Sequence, residues 1–247
     1  MAAAAFAVVE VAVRLIDLHH HTGVHPRMGA ADVVPFVPLR GATLGDAAAL
    51  ARALAGRVGE ELAVPAYLYG AAAAAGRPTE LRAIRGRGWE AMVAAGDAVA
   101  PPDAGPRLPH ATAGATAVGA RLPLVAFNVL LNSDSLETAR RLARQVRASS
   151  GGLPAVQAMG VVLASAGAAQ VSMNLLDHAT TNPARVLREL RRLAEVEGVE
   201  VVRAELVGLL PAAALAGIED DGLAGLPGAG DTIEARLAAA GLDGALG

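Results

Sequence analysis

The chain has 247 residues, no cysteine and a formal net charge of −3, with 53% hydrophobic but only 2% aromatic residues. A chain of that length buries roughly 70 to 75% of its unfolded surface, enough for one large or two small domains. The absence of cysteine excludes disulfides, thiolate metal sites and cysteine nucleophiles, and suits a reducing cytoplasmic setting. All 21 basic residues are arginine, and they interleave with glutamate between 185 and 197, so no concentrated basic surface for nucleic acid is expected.

The first expected element is a helix over residues 2–18. Its apolar start could pass for a signal peptide, but no positive region precedes it and Glu10 and Arg14 interrupt it. No uncharged stretch reaches the ~18 residues that a membrane span needs. Then comes His19-His20-His21-Thr22-Gly23-Val24-His25-Pro26-Arg27-Met28-Gly29-Ala30, which holds four of the six histidines. Imidazole titrates near neutrality, so a loop that fixes one beside an arginine suits proton transfer. His21 and His25 have the i,i+4 spacing of metal ligands on a helix, but Gly23 and Pro26 break that helix, and no metal is expected. Arg27, in a turn after Pro26, could hold a carboxylate bidentately or close an internal salt bridge.

A strand over 32–38, a helix over 44–62 and a strand over 65–69 read as a right-handed parallel crossover. One crossover and a spare helix leave this half incomplete unless another segment supplies strands. Residues 70–121 read as a long irregular connection with a short helix around Trp89 and a Pro/Gly-rich run at 101–106.

Residues 123–130 form the next expected strand. Asp134 and Glu137 then have capping-box spacing ahead of an apolar stripe of Leu136, Ala139, Leu142, Ala143 and Val146. Two strands, 157–164 and 169–176, are separated by a small-residue turn that suits a hairpin. Asn182 and Pro183 read as N-cap and first residue of a helix with Val186, Leu187, Leu190, Leu193 and Ala194 on one face. A last strand over 199–206 completes βαββαβ, the ferredoxin-like order. Residues 217–247 read as an appendix, either disordered or holding a short amphipathic helix at 232–240.

Several of these pieces together resemble the glutamate formiminotransferases, whose domain also forms the amino-terminal part of formiminotransferase-cyclodeaminase. They are Gly23-Val24-His25-Pro26-Arg27-Met28-Gly29-Ala30, residues 32–38 with Arg40-Gly41, Val64-Pro65-Ala66-Tyr67-Leu68-Tyr69-Gly70, Gly114-Ala115-Thr116 with Gly119-Ala120-Arg121, Ala126-Phe127-Asn128, Gln170-Val171-Ser172-Met173-Asn174-Leu175-Leu176-Asp177, and Leu206-Val207-Gly208-Leu209-Leu210-Pro211. The resemblance runs from about Leu15 to Leu215.

It implies an α/β (α+β) protein of two ferredoxin-like subdomains, at 1–121 and 122–216, with a tail at 217–247. It also implies transfer of a formimino group from N-formimino-L-glutamate to N5 of tetrahydrofolate, a step of histidine degradation, by a cytoplasmic homodimer without metal. His25 matches the family's catalytic histidine and is the expected general base. Arg27, Arg121 and Asn128 are candidate substrate contacts. Gly105, Pro106, Arg107, Leu108, Pro109, His110, Ala111, Thr112, Ala113 and Gly114 align with the folate-binding loop, where some members carry tryptophan in place of Ala113. Family members begin with a further strand-helix-strand segment, so the first subdomain is expected to be N-terminally truncated, with an exposed sheet edge. The alternative expectation is a non-catalytic homologue that at most binds folate.

Overall fold

Alanine-rich helices and short strands alternate through the computed structural model, which describes residues 1–21, 27–39, 41–86, 88–163, 167–219 and 221–242. The chain divides into two compact units, Met1–Arg121 and Leu122–Gly247. No helix among the described residues is long and apolar enough to cross a membrane.

In the first unit, α1 (Ala2–Leu15) buries Phe6 and Val9 in a core shared with α2 (Leu44–Glu61). The Arg57 guanidinium of α2 lies over the Phe6 ring, 3.8 Å from its centre. Thr43 and Asp46 start α2 with a reciprocal capping box, which satisfies two N–H groups that an uncapped helix leaves open. The sheet contains β1 (Val33–Phe36), β2 (Ala66–Gly70) and β3 (Thr116–Ala120), in the order β1-β3-β2 with all pairs parallel.

Strand β3 corrects the expectation that residues 70–121 are irregular apart from one helix, and it adds a third strand to the first unit. The two strands of the expected crossover do not pair with each other; β3 lies between them. All five β3 residues are buried, so the run has no in-out alternation, and its Ala and Gly lack the β-branched bulk that marks most strands. The small side chains are required: a Cβ on Gly119 would come within 2.4 Å of the Tyr69 ring. Pro35 of β1 has no N–H to give a ladder, which suits the outer position of that strand.

The core beside α1 and α2 includes Leu54, Val58 and Val118. A second cluster gathers Met28, Tyr67, Tyr69, Met92, Ala115 and Ala117 with parts of α3 (Leu81–Arg85) and α4 (Trp89–Ala95).

The second unit runs β4 (Val125–Leu131), α5 (Leu136–Val146), β5 (Val156–Leu163), β6 (Ala168–Leu175), α6 (Pro183–Val196) and β7 (Val201–Val207). Its sheet, ordered β5-β6-β4-β7 and antiparallel at each junction, is the expected βαββαβ arrangement. Phe127, Val129, Leu131, Leu142, Leu175 and Leu190 are buried together where the two helices cover one face. Asn182 caps α6 by accepting from the Arg185 N–H at 3.0 Å. The cap of α5 is Ser135, which accepts from the Thr138 N–H at 3.2 Å, and not Asp134.

The stretch after Gly217 is knit to this unit rather than appended to it. Ala204 donates to the Ala224 carbonyl at 2.9 Å, and Ile233 to the Leu210 carbonyl at 2.9 Å. Leu223 and Leu226 pack on the core, Arg191 pairs with Asp221, and α7 (Ile233–Ala239) is capped by Thr232.

Candidate functional site

His25 lies outside the described residues, as do all of residues 22–26 and Arg40. The residues on either side of that segment are held by named contacts. After α1 the chain turns extended at Ile16, and the Asp17 carboxylate caps a 3-10 turn, Leu18–His20, by accepting from the His19 N–H at 2.9 Å. That N–H, and then the His19 ring, hold the Asp17 carboxyl below its ordinary range. His19 Nδ1 also lies 2.8 Å from Asp17, and its ring meets Trp89 edge to face, with 4.8 Å between centroids. No group of three histidine, aspartate or glutamate side chains among the described residues converges as metal ligands would.

Arg27 follows on the other flank. Its Nη1 donates to Glu90 Oε1 at 2.8 Å, and its Nη2 donates to the His21 carbonyl at 2.7 Å and the Leu18 carbonyl at 3.3 Å. Of the two roles open to Arg27 in the sequence, this geometry is the internal salt bridge. The Glu90 carboxyl is held below its ordinary range, first by its own backbone N–H and then by Arg27. The next residues are fixed as well: Asp32 accepts from the Met28 N–H at 2.8 Å and from Arg85 at 2.5 Å.

The expected folate loop, residues 105–114, is a closed structure. Gly105, at φ +86, passes so near α2 that a Cβ would come 2.8 Å from the Gly59 Cα, a place only glycine can occupy. Arg107 donates to the carbonyls of Asp97 at 2.5 Å and Val99 at 3.3 Å. His110 and Gly114 exchange backbone hydrogen bonds of 2.7 and 2.9 Å. The His110 ring closes the turn between them, with Nδ1 accepting from the N–H groups of Ala113 at 3.1 Å and Thr112 at 3.3 Å. A nitrogen that accepts two N–H groups carries no proton of its own, so the ring's N–H is on Nε2. Pro106, Leu108 and Ala111 are exposed, Pro109 and Thr112 half-buried, and Ala113 and Gly114 buried.

The loop and the histidine flanks are joined by backbone. Leu18 donates to the Thr112 carbonyl, Ala30 to the Ala113 carbonyl, and Ala115 to the Met28 carbonyl, each at 2.9 Å. Gly114, at φ +68, sits where a Cβ would strike the Met28 carbonyl oxygen at 2.2 Å. The structure therefore brings together 18–21, 27–32, 85–86, 88–90 and 105–115 in one place within the first unit.

Two further candidates are Arg121 and Asn128. Arg121, just past β3, donates its N–H to the Phe36 carbonyl at 3.2 Å. Burial pushes the Tyr69 phenol upward, and the Arg121 guanidinium beside it pulls the other way. Asn128 belongs to the second unit, where its amide donates to Glu205 at 3.0 Å and its carbonyl oxygen accepts from the Ser172 hydroxyl at 2.9 Å. Both contacts cross strands.

Sequence reasoning did not find Glu90, Asp32 or Arg85 as partners of the histidine segment. The signal that could have pointed to that region is Trp89, the single tryptophan. A cavity of about 290 Å³ lies under α3 and α4, lined mostly by apolar groups such as Tyr67, Ile84, Met92 and Val99. The charges on its wall include an Arg77–Asp103 pair at 3.4 Å.

Two family models match the chain: the formiminotransferase domain, N-terminal subdomain, over residues 1–121, and the formiminotransferase domain over residues 126–220. A glutamate formimidoyltransferase of Streptococcus pyogenes serotype M1 is 40% identical over 215 residues, covering 86% of this chain and 71% of that protein. A glutamate formimidoyltransferase of Thermoplasma acidophilum is 40% identical over the same shares of each chain. The formimidoyltransferase-cyclodeaminase of Sus scrofa is 43% identical over 211 residues, covering 83% of this chain but 39% of that longer protein.

Proposed function

The chain belongs to the formiminotransferase family, and from that premise we propose that it transfers the formimino group of N-formimino-L-glutamate to N5 of tetrahydrofolate. The observation that carries this reading is the lashing of loop 105–114, with Ala115 directly after it, to both flanks of the histidine segment by the hydrogen bonds from Leu18, Ala30 and Ala115. A loop that takes the folate and a segment that takes its proton must be held in register, and three backbone bonds do that without depending on side-chain rotamers. The reading places the protein in histidine degradation, as a cytoplasmic homodimer.

In this mechanism N5 of tetrahydrofolate attacks the formimino carbon, and neutral His25 removes the N5 proton as the new C–N bond forms. The same imidazole then returns a proton to the glutamate nitrogen, the old C–N bond breaks, and glutamate leaves. No net proton or electron is needed. A base of this kind contributes ~10²- to 10⁴-fold, with the pairing of the two bound substrates supplying much of the rest. The exposed part of the loop, Pro106 to Leu108, offers a surface for the flat pterin, and Arg121 and Asn128 are the proposed polar contacts to the substrates.

The test is direct. The purified chain is given both substrates and formimino-tetrahydrofolate is measured, for the parent and for His25→Asn. The variant should lose ~10²-fold or more in kcat. Folate binding by a parent chain that never turns over would instead establish the non-catalytic reading.

A further inference from the structure

Helices α5 and α6 cover one face of the second unit's sheet, and the side chains that alternate away from them carry polar groups. In β4, Phe127 and Val129 belong to the core, and Asn128 between them points the other way. The same holds for Ser172 between Val171 and Met173 of β6, and for Glu205 between Ala204 and Leu206 of β7. The register sets Ser172, Asn128 and Glu205 opposite one another in a single row across three strands. Asn128 Oδ1 accepts from the Ser172 hydroxyl at 2.9 Å and from the Met173 N–H at 3.4 Å, which orients the amide so that its nitrogen donates to Glu205 Oε2 at 3.0 Å. That bond leaves much of the row open: the amide has a second N–H, and Glu205 keeps its other oxygen. Opposite charges are the favourable cross-strand partners of a carboxylate, yet Glu205 faces a neutral amide, and no cation pairs with it among the described residues. Two residues back in β7, and so on the same side of the strand, the exposed Arg203 brings a guanidinium, about 7 Å away along the backbone.

We propose that Glu205 is the residue that selects a formimino donor over a formyl donor: its carboxylate takes the amidinium of N-formimino-L-glutamate, while Arg203 takes a carboxylate of the glutamate part. The inference rests on the reading of the chain as a formimino transferase and adds to it the group that recognises the donor. A formimino group is an amidine, protonated at neutral pH, with N–H groups on both nitrogens. A carboxylate accepts two such N–H groups side by side, as it does from arginine. The formyl group has no charge and puts an oxygen where the amidinium has an N–H, so it meets the Glu205 oxygens lone pair to lone pair. A site built around a donor on its ligand rejects the analogue that lacks it far more strongly than an apolar pocket rejects a missing methylene. Asn128 and Ser172 are positioning residues here, because they aim the carboxylate, and the second Asn128 N–H remains for a carboxylate oxygen of the same substrate.

The experiment titrates N-formimino-L-glutamate and N-formyl-L-glutamate by calorimetry into the full chain, Glu205→Gln and Arg203→Gln, and measures the thermal midpoint and the formation of formimino-tetrahydrofolate beside them. The parent should bind the formimino donor ~10-fold or more tightly than the formyl donor. Glu205→Gln, whose amide oxygen still accepts from Asn128, should weaken the formimino donor ~10- to 100-fold and the formyl donor by less than ~3-fold, at a midpoint close to the parent's. Arg203→Gln should weaken both donors alike, since both carry the glutamate carboxylates. Equal affinity of the parent for the two donors overturns the proposal without any variant. So does a Glu205→Gln chain that binds the formimino donor as the parent does, or that loses both donors equally. A parent that binds the formimino donor through Glu205 but forms no product sinks the transfer reading and leaves the site. Product formed by Glu205→Gln at the parent's rate under low donor concentration does the reverse.

Discussion

Asn128 of β4 donates its amide to Glu205 of β7 at 3.0 Å while its carbonyl takes the Ser172 hydroxyl of β6 at 2.9 Å. One side chain thus joins three strands. Removing it in Asn128→Ala leaves both neighbours without their partner, and a cost of about 1–3 kcal/mol in urea unfolding is expected. Asn128→Asp adds a carboxylate beside Glu205, so its deficit should shrink when the pH is lowered from 7 to 4. A deficit independent of pH would mean that Glu205 does not face position 128 in solution.

Gly114→Ala tests the junction between loop and histidine flank. The added Cβ meets the Met28 oxygen at 2.2 Å, and the φ of +68 is itself unfavourable for alanine. A loss of at least about 2 kcal/mol is expected in chemical denaturation. Gly76, with a similar φ of +79 but nothing near its Cβ position, should cost about 1 kcal/mol or less on the same change. The difference between the two variants isolates the clash from the backbone strain.

His110→Ala should weaken tetrahydrofolate binding through the loop, because the N–H groups of Thr112 and Ala113 lose their acceptor. His110→Asn keeps an acceptor at short reach and should bind close to the parent. A titration of tetrahydrofolate against the three proteins decides it, and equal affinities would remove the loop from the binding site.

Lowering the pH should weaken the fold in a definite window. The carboxyls of Asp17, Asp46, Glu90 and Asp177 all titrate below their ordinary values when folded, because hydrogen bonds to their neighbours favour the charged form. A depressed folded pKa stabilises above the unfolded value and is lost as pH falls through the folded one. The thermal midpoint should therefore stay level from pH 7 to about pH 5 and drop below about pH 4. Activity should fall earlier, near the imidazole range at ~6.5, while Glu90 is still charged and paired with Arg27. A shared midpoint for activity and unfolding would contradict the histidine base.

Local pattern was enough to determine the βαββαβ order of the second unit. Val125, Phe127, Val129 and Leu131 alternate along β4, and Asn182-Pro183 marks the start of α6. These signals arise from side chains within a few residues of each other, so they are present in the sequence before any folding. The string from Gly23 to Ala30 similarly marked the histidine segment, because its residue types and order carry the family resemblance.

Tertiary structure alone decided the rest. Strand β3 is buried on both faces and built from small residues, so it has no period to detect; it becomes a strand because β1 and β2 offer their edges to it. Spacing pointed to Asp134 as the cap of α5, and only the final backbone turn placed Ser135 there instead. Arg27 finds its carboxylate on Glu90, 63 residues away. Sequence shows that a guanidinium is present and charged, but the choice between a substrate and an internal partner depends on which group the folded chain brings within hydrogen-bonding distance.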